Sequence, residues 1–323
     1  MFPLLMFFSQ KRFGIGYDTF ATNGSAMAEA QLNIKQKFNI DAITACSDAF
    51  RVTADLGADM VYPADAPPYA ASHLVSGETD FKNLKFPDFE HPKSRVKDRV
   101  KGVQEMVRAV GDECMVLGWV DMPFAEACSV CGVSEFLMML IMNPALAHQI
   151  LSFLTEIVIQ FSLRQLEAGS PMIGAGDAAA SLISQEQYNE FALPYEQKVC
   201  SAIHGKGGLV KLHICGNTAH LLASMVKSGA DLFNVDHLVD LSLAKKVYEE
   251  NNLCYKGNLN PVSDILDSSP GRCKQNALDC LKLAEGSRYM LSAGCEIPAE
   301  TPDETFEAFC NAPLEFNRVM SLK

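Results

Sequence analysis

Leu209-Val210-Lys211-Leu212-His213-Ile214-Cys215-Gly216 is a short apolar run that ends on an imidazole, a thiol and a glycine. Side chains alternate along an extended strand, so His213 and Cys215 point the same way, and Gly216 lets the chain turn directly after them. Working outward, comparable runs bounded by polar or turn residues occur at Asp41 to Cys46, Met60 to Pro63, Cys114 to Asp121, Pro171 to Asp177, Asp231 to Asp236, Cys254 to Asn258 and Tyr289 to Cys295. With the Leu209 run they make eight candidate strands. Most are separated by segments with helical periodicity and start signals. Asn143-Pro144 fits an N-cap with proline at the first helical position, opening a helix to about Glu167. Ser184 with Gln187, and Thr301-Pro302 with Glu304, fit capping boxes. Strand then helix, repeated eight times, predicts the α/β class and a (β/α)8 barrel of the TIM type. An open doubly wound sheet alternates in the same way; the count of eight favours the barrel.

The chain of 323 residues is long for an ordinary domain but within the range of one such barrel, so residues 1–323 are read as a single domain. Residues 1–40 form an N-terminal extension in this reading. The segment 64–93, rich in Pro, Ser, Asp and Lys, is a candidate lid, because long loops after barrel strands gather on the active-site face; a plain surface excursion is the alternative. A formal charge of −12 argues against wrapping nucleic acid or docking on anionic lipid. Eleven cysteines, an odd number without a compact framework, point to a reducing compartment and a cytoplasmic protein. The apolar run Pro3 to Phe8 lacks a basic segment before it and reads as a buried first strand. Phe136 to Met142 is far short of a membrane span, so no membrane segment is expected.

Several of the runs end in polar residues: Asp65, Asp121, Asp177, His213 with Cys215, Asp236 with His237, Asn258 with Asn260, and Cys295 with Glu296. In a barrel these C-terminal strand ends converge, so residues distant in sequence become neighbours. His213 and Cys215 supply half of a zinc site. Cys295, just past a glycine in Leu291-Ser292-Ala293-Gly294-Cys295-Glu296, could supply more, and a His/Cys/Cys set leaves a fourth position open as catalytic zinc requires. Taken alone, His-x-Cys is also compatible with packed, hydrogen-bonded side chains. Cys128 and Cys131 form a CxxC without a second pair in an apolar helical segment, and read as packing. Met138, Met139 and Met142 read as core for the same reason.

His213-Ile-Cys215-Gly216-Asn217 together with Ser292-Ala-Gly-Cys295-Glu-Ile-Pro-Ala-Glu-Thr-Pro302 resembles the uroporphyrinogen decarboxylase superfamily. More narrowly, it is similar to the zinc-dependent corrinoid (cobalamin) methyltransferase branch, which includes coenzyme M methyltransferases and O-demethylase methyltransferases. The likeness runs from about Gly111 to the C-terminus and takes in Gly176-Asp177-Ala178-Ala179-Ala180-Ser181, Asp236 and Gly257-Asn258-Leu259. It implies the same barrel, with His213, Cys215 and Cys295 as zinc ligands and Asp236, where relatives carry Glu, as the candidate fourth.

The implied activity moves a methyl group between a small substrate (a methyl ether, methanol, a methylamine or a thiol) and the cobalt of a corrinoid. No Asp-x-His-x-x-Gly corrinoid motif is present, so the cobalamin is expected on a separate corrinoid protein. Asp177 would orient a ligand or hold a proton, Glu296 would tune the site, and Asp121 and Asn258 would face the substrate; capping a helix or satisfying a turn amide is the alternative for Asp177 and Glu296. The decarboxylases carry an arginine-bearing N-terminal segment for substrate carboxylates, whereas this chain offers Lys11 and Arg12. Porphyrinogen decarboxylation and a non-catalytic binding barrel stand as alternatives. Homo-oligomerisation and the direction of transfer are open at this point.

Overall fold

The structure, a computed structural model, describes residues 1–38 and 40–320. Its strands are β1 (Ala42–Thr44), β2 (Met60–Val61), β3 (Tyr69–Ala70), β4 (Met115–Asp121), β5 (Met172–Gly176), β6 (Leu209–His213), β7 (Leu232–Asn234), β8 (Cys254–Leu259) and β9 (Tyr289–Ala293). Seven form one parallel sheet in the order β1-β4-β5-β6-β7-β8-β9. It curls into a TIM-like α/β half-barrel, with helices connecting successive strands as parallel pairing requires. The register keeps the strand ends level: Gly176 lies opposite both Asp121 and His213, and His213 lies opposite Asn234.

One expected barrel strand is not part of the sheet. Met60 and Val61 pair antiparallel with Tyr69 and Ala70 in a separate two-stranded ribbon. The run is too short and too polar around its ends to be buried on both faces, as a parallel barrel strand must be; Met60 is half-buried and Val61 exposed.

The sheet's edges, β1 and β9, are bridged instead by the N-terminal residues. This run is buried as expected, yet it is an irregular segment and not a strand: Met1 O accepts from Asp41 N just before β1, and Leu4 O accepts from Ile297 N just after β9. Phe2 reaches into the barrel against Ala42, Leu117, Met172 and Leu232, contributed by four different strands, and Leu4 packs with Cys46 and Trp119. The ammonium of Lys256, buried on β8, donates to Phe2 O and to Ser292 Oγ on β9. The helices Phe7–Phe13, Tyr17–Thr22 and Gly24–Phe38 follow, and share an apolar cluster with Phe306 and Phe309 of the C-terminal helix Asp303–Met320.

Start signals fared unevenly. Asn143 Oδ1 accepts from Leu146 N at the head of Pro144–Glu167, and Ser184 and Gln187 form a full capping box. The box expected at Thr301 does not form: the last helix starts at Asp303, and the buried Thr301 hydroxyl has no partner. Pro144–Glu167 is long and apolar enough by length and composition to cross a bilayer, but 56% of its apolar window is buried inside the fold. Met138 and Met142, expected in the core, are 61% and 82% exposed. Helix Val133–Met142 buries only Phe136 and Leu140, one turn apart on a single face, which leaves those methionines pointing outward.

Phe2 is the test of the bridged seam. Phe2→Ala should lower the unfolding free energy by about 3 kcal/mol in urea titration, the range for a large aromatic removed from a packed interior.

Candidate metal centre

His213 is the last residue of β6, and Cys215 follows two positions later on the same side of the chain. Gly216 then turns the backbone at φ +92°, a conformation that other residues rarely adopt. Cys295 arrives from β9 through Gly294, where a Cβ would come within 2.4 Å of His237 N. Glycine therefore permits the close approach of the two loops. Cys215 Sγ lies 2.8 Å from His213 Nε2 and 3.6 Å from Cys295 Sγ, and Cys295 Sγ lies 3.7 Å from His213 Nε2. The three ligand atoms sit within 4.8 Å of one another, with His213 buried and both cysteines partly so.

The two thiols lie within hydrogen-bonding reach of each other. Their mutual contact holds the Cys295 thiol well below its ordinary value and, with burial, pushes Cys215 well up. Such a set suits zinc. Bonds of roughly 2.0 Å to nitrogen and 2.3 Å to sulfur give tetrahedral edges of about 3.5 to 3.8 Å, which the two longer separations match. The 2.8 Å contact is short even for a hydrogen bond to sulfur and would have to open to reach that edge. His213 Nδ1 is buried without a partner.

Asp236 is not brought into this group of ligand atoms. Its Oδ2 accepts from Gly216 N at 3.0 Å and its Oδ1 from Leu238 N at 2.9 Å, so the carboxylate holds the turn that carries Cys215. Asn258 faces elsewhere: its amide donates to Val239 O and Asp236 O, and it lines a different cleft with Asp240 and Asp279. Glu296 Oε1 accepts from Met6 N and Phe7 N and so ties the residue after Cys295 to the N-terminal segment. Its carboxyl is pushed up to about 8, mainly by burial.

Asp121 does border the site. It lines a cavity of about 470 Å³ together with Cys215, Gly216 and Cys128, while Arg51, fully buried, forms an ion pair with it from behind. Burial raises the Asp121 carboxyl to about 6 against the opposing pull of Arg51. None of residues 64–93 lines this cavity; that segment is pinned to the end of helix Pro123–Cys131, with Leu74 N and Val75 N donating to Val130 O.

Sequence reasoning missed the cations. Lys211 is buried inside the barrel with its ammonium 4.7 Å from the Trp119 ring centroid, and burial pushes it down to about 8 while Cys46, Cys295 and Cys215 oppose that shift. The parity was visible: Lys211, His213 and Cys215 occupy alternate positions and so share a face. Arg51, and Arg95 in its bidentate pair with Asp48, carried no comparable local signal.

A family model for uroporphyrinogen decarboxylase (URO-D) matches residues 4–316. The chain belongs to the uroporphyrinogen decarboxylase family. Within it the chain is similar to uroporphyrinogen decarboxylase of Trichodesmium erythraeum, 28% identical over 68% of this chain and 63% of that one. It is equally similar to methylcobamide:CoM methyltransferase MtbA of Methanosarcina acetivorans, 28% identical over 74% of this chain and 69% of that one. Matches to the decarboxylases of Trichodesmium erythraeum and of Prochlorococcus marinus thus span 63% and 62% of those proteins. A solved methyltransferase from Methanosarcina mazei shares the fold at TM-score 0.88 and 21% identity, covering 98% of this chain and 94% of that one.

For a member of the uroporphyrinogen decarboxylase family, the N-terminal cations are engaged elsewhere. Arg12 binds Asp303 and Ala299 O, and Lys11 pairs with Glu300. Asp177, fully buried, accepts from Ala125 N at 2.8 Å and so fixes the start of helix Pro123–Cys131. Its other oxygen and Glu196 Oε1 meet no N–H or hydroxyl donor; the two carboxyls lie against one another, where one proton can bridge them, while Tyr188 donates to Glu196 Oε2. Burial, then the neighbouring Glu196, raises Asp177; burial raises Glu196 to about 7 against its hydrogen bonds.

A buried acid with a raised pKa favours the fold while protonated, so stability falls as pH climbs from the ordinary carboxyl value toward 7. Glu196→Gln should therefore lose less stability than the native protein between pH 5 and about 8 in urea unfolding; equal slopes would show that Glu196 is already ionised at pH 5.

Proposed function

We propose that this protein is a zinc-dependent methyltransferase that moves a methyl group between a small substrate and the cobalt of a corrinoid carried on a separate protein. The observation that carries the reading is the convergence of His213, Cys215 and Cys295 at the C-terminal strand ends, where barrel enzymes assemble their sites. The similarity to methylcobamide:CoM methyltransferase MtbA supports the reaction class and the corrinoid-bearing partner.

These three residues would hold the metal, which would favour the thiolate of a bound thiol or polarise the heteroatom of a methyl donor. Loss of thiol protons from Cys215 and Cys295 would accompany metal binding. Asp236 acts here as a positioning residue through Gly216 N, in place of the fourth ligation read from the sequence; Glu296 positions Cys295 through the N-terminal amides. Asp177 sets the cavity wall through Ala125, and Asp121 faces the substrate side.

Decarboxylation of a porphyrinogen is the competing reading, since decarboxylases stand among the relatives. It has no need of the His/Cys/Cys set, and Arg12 is tied to Asp303.

Metal analysis of freshly purified, reduced protein should give about one zinc per chain, lost in both Cys215→Ala and Cys295→Ala. Demethylation of methylcobalamin, or methylation of cob(I)alamin, should disappear with it. Folded protein that takes up no zinc and turns over a porphyrinogen would overturn the assignment. Asp236→Asn should retain zinc with an affinity roughly tenfold to a hundredfold weaker, the usual cost of losing a group that orients a ligand.

A further inference from the structure

The four most exposed large apolar side chains among the described residues are Met142, Ile141, Leu182 and Met138, at 82%, 72%, 63% and 61%. Three of them stand on helix Val133–Met142, which turns by 107° from helix Pro123–Cys131 and buries only Phe136 and Leu140. Residues three and four apart share a helix face, so Met138, Ile141 and Met142 form one outward stripe. Val133 at the head of the helix and Leu182 carry the apolar surface on to the rim of the cavity beside Cys215. Contiguous apolar patches beyond a few hundred Å² rarely stay bare on a monomer.

Charge narrows what can cover this stripe. At −12, two copies of the chain repel wherever their acids meet. No Asp, Glu, Lys or Arg occurs from Phe136 to Thr155, so here two copies can touch without that penalty. A different protein would be steered and oriented by complementary charges, which the stripe does not offer. Helices that lie on anionic lipid carry Lys or Arg on their polar side, and Val133–Met142 has neither.

A contact between identical copies uses the same patch twice. Antiparallel pairing around a two-fold axis beside Ile141 sets that residue against its own copy and Met138 of one copy against Met142 of the other. The nearest acid, Glu135, then lies roughly 15 Å along the helices from its counterpart, beyond the screening length at physiological salt. We infer that two copies of this chain pair through helix Val133–Met142 around such an axis, with the two Val133 cavity rims at opposite ends of the contact. The pairing depends neither on the metal nor on methyl transfer. One helix a side is at the small end of stable interfaces, which take about 800 Å² from each partner, so association in the micromolar range is expected.

Analytical ultracentrifugation of the reduced full chain from about 1 to 100 µM should show a dimer that dissociates at low micromolar concentration. Ile141→Asp and Ile141→Lys each place like charges together at the axis and should each weaken the dimer at least about a hundredfold. An equimolar mixture of the two variants should recover the dimer to within about tenfold of native strength, because only a position that faces its own copy brings the new Asp against the new Lys. Ile141 is exposed in the single chain, so urea unfolding of each variant should match the native protein. A native chain that stays monomeric at about 100 µM would overturn the inference and leave the stripe to another partner. A dimer that Ile141→Asp leaves intact would also overturn it, as would monomeric variants that fail to recombine on mixing.

Discussion

Closure of the barrel around a seam without a strand is the constraint on which the site depends. Seven strands leave β1 and β9 at the sheet's edges, and unpaired edges inside a fold strand their backbone polar groups. Residues 1–5 answer that need without a ladder. Asp41 N and Ile297 N find carbonyls on Met1 and Leu4, and Lys256 bonds both Phe2 O and Ser292 Oγ. Glu296 completes the tie by accepting from Met6 and Phe7. Because Glu296 adjoins Cys295, the hydrogen bonds that hold the seam also fix one corner of the His213, Cys215 and Cys295 cluster.

The interior below that centre is charged, which is uncommon for a barrel filled by packed side chains. Lys211 and Lys256 are both buried, and burial lowers both, with Lys211 adding to the shift on Lys256. The favourable partners of these ammonium groups are electron-rich: the Trp119 and Phe2 rings, the Phe2 carbonyl and the sulfurs above. Lys211 pulls the Cys215 thiol down, but less than Cys295 and burial push it up. The same sequence alternation that places His213 and Cys215 at the mouth puts Lys211 one step deeper.

The sequence was most legible where local pattern and tertiary position coincide. Alternation placed His213 and Cys215 together, glycines marked the turn at Gly216 and the approach at Gly294, and the Asn143 and Ser184 caps formed as read. It was least legible where identical local patterns have different tertiary fates. Met60–Val61 looks strand-like and is, but pairs with Tyr69–Ala70 outside the barrel. The apolar helix Val133–Met142 needs only Phe136 and Leu140 for its buried stripe, so hydrophobicity alone misplaced its methionines. Asp236 and Asn258 sit at strand ends as predicted, yet they spend their polar atoms on backbone groups of adjoining turns, a choice that residue type does not reveal.

The separation of charge between the two sides of Cys215 follows from these placements. Below it lie ammonium groups and thiols in a fully buried layer; beside it lies a cavity whose one carboxylate is matched by Arg51 and whose hydroxyls point back into their own turns. A low-dielectric wall strengthens every electrostatic interaction that remains inside it. The sulfur atoms are influenced mainly by one another and by burial; Asp236 pushes Cys215 up, Lys211 pulls it down, and His213 draws Cys295 down. The two layers differ in chemistry: the cavity wall is mostly apolar, while the barrel interior carries the buried ammonium groups.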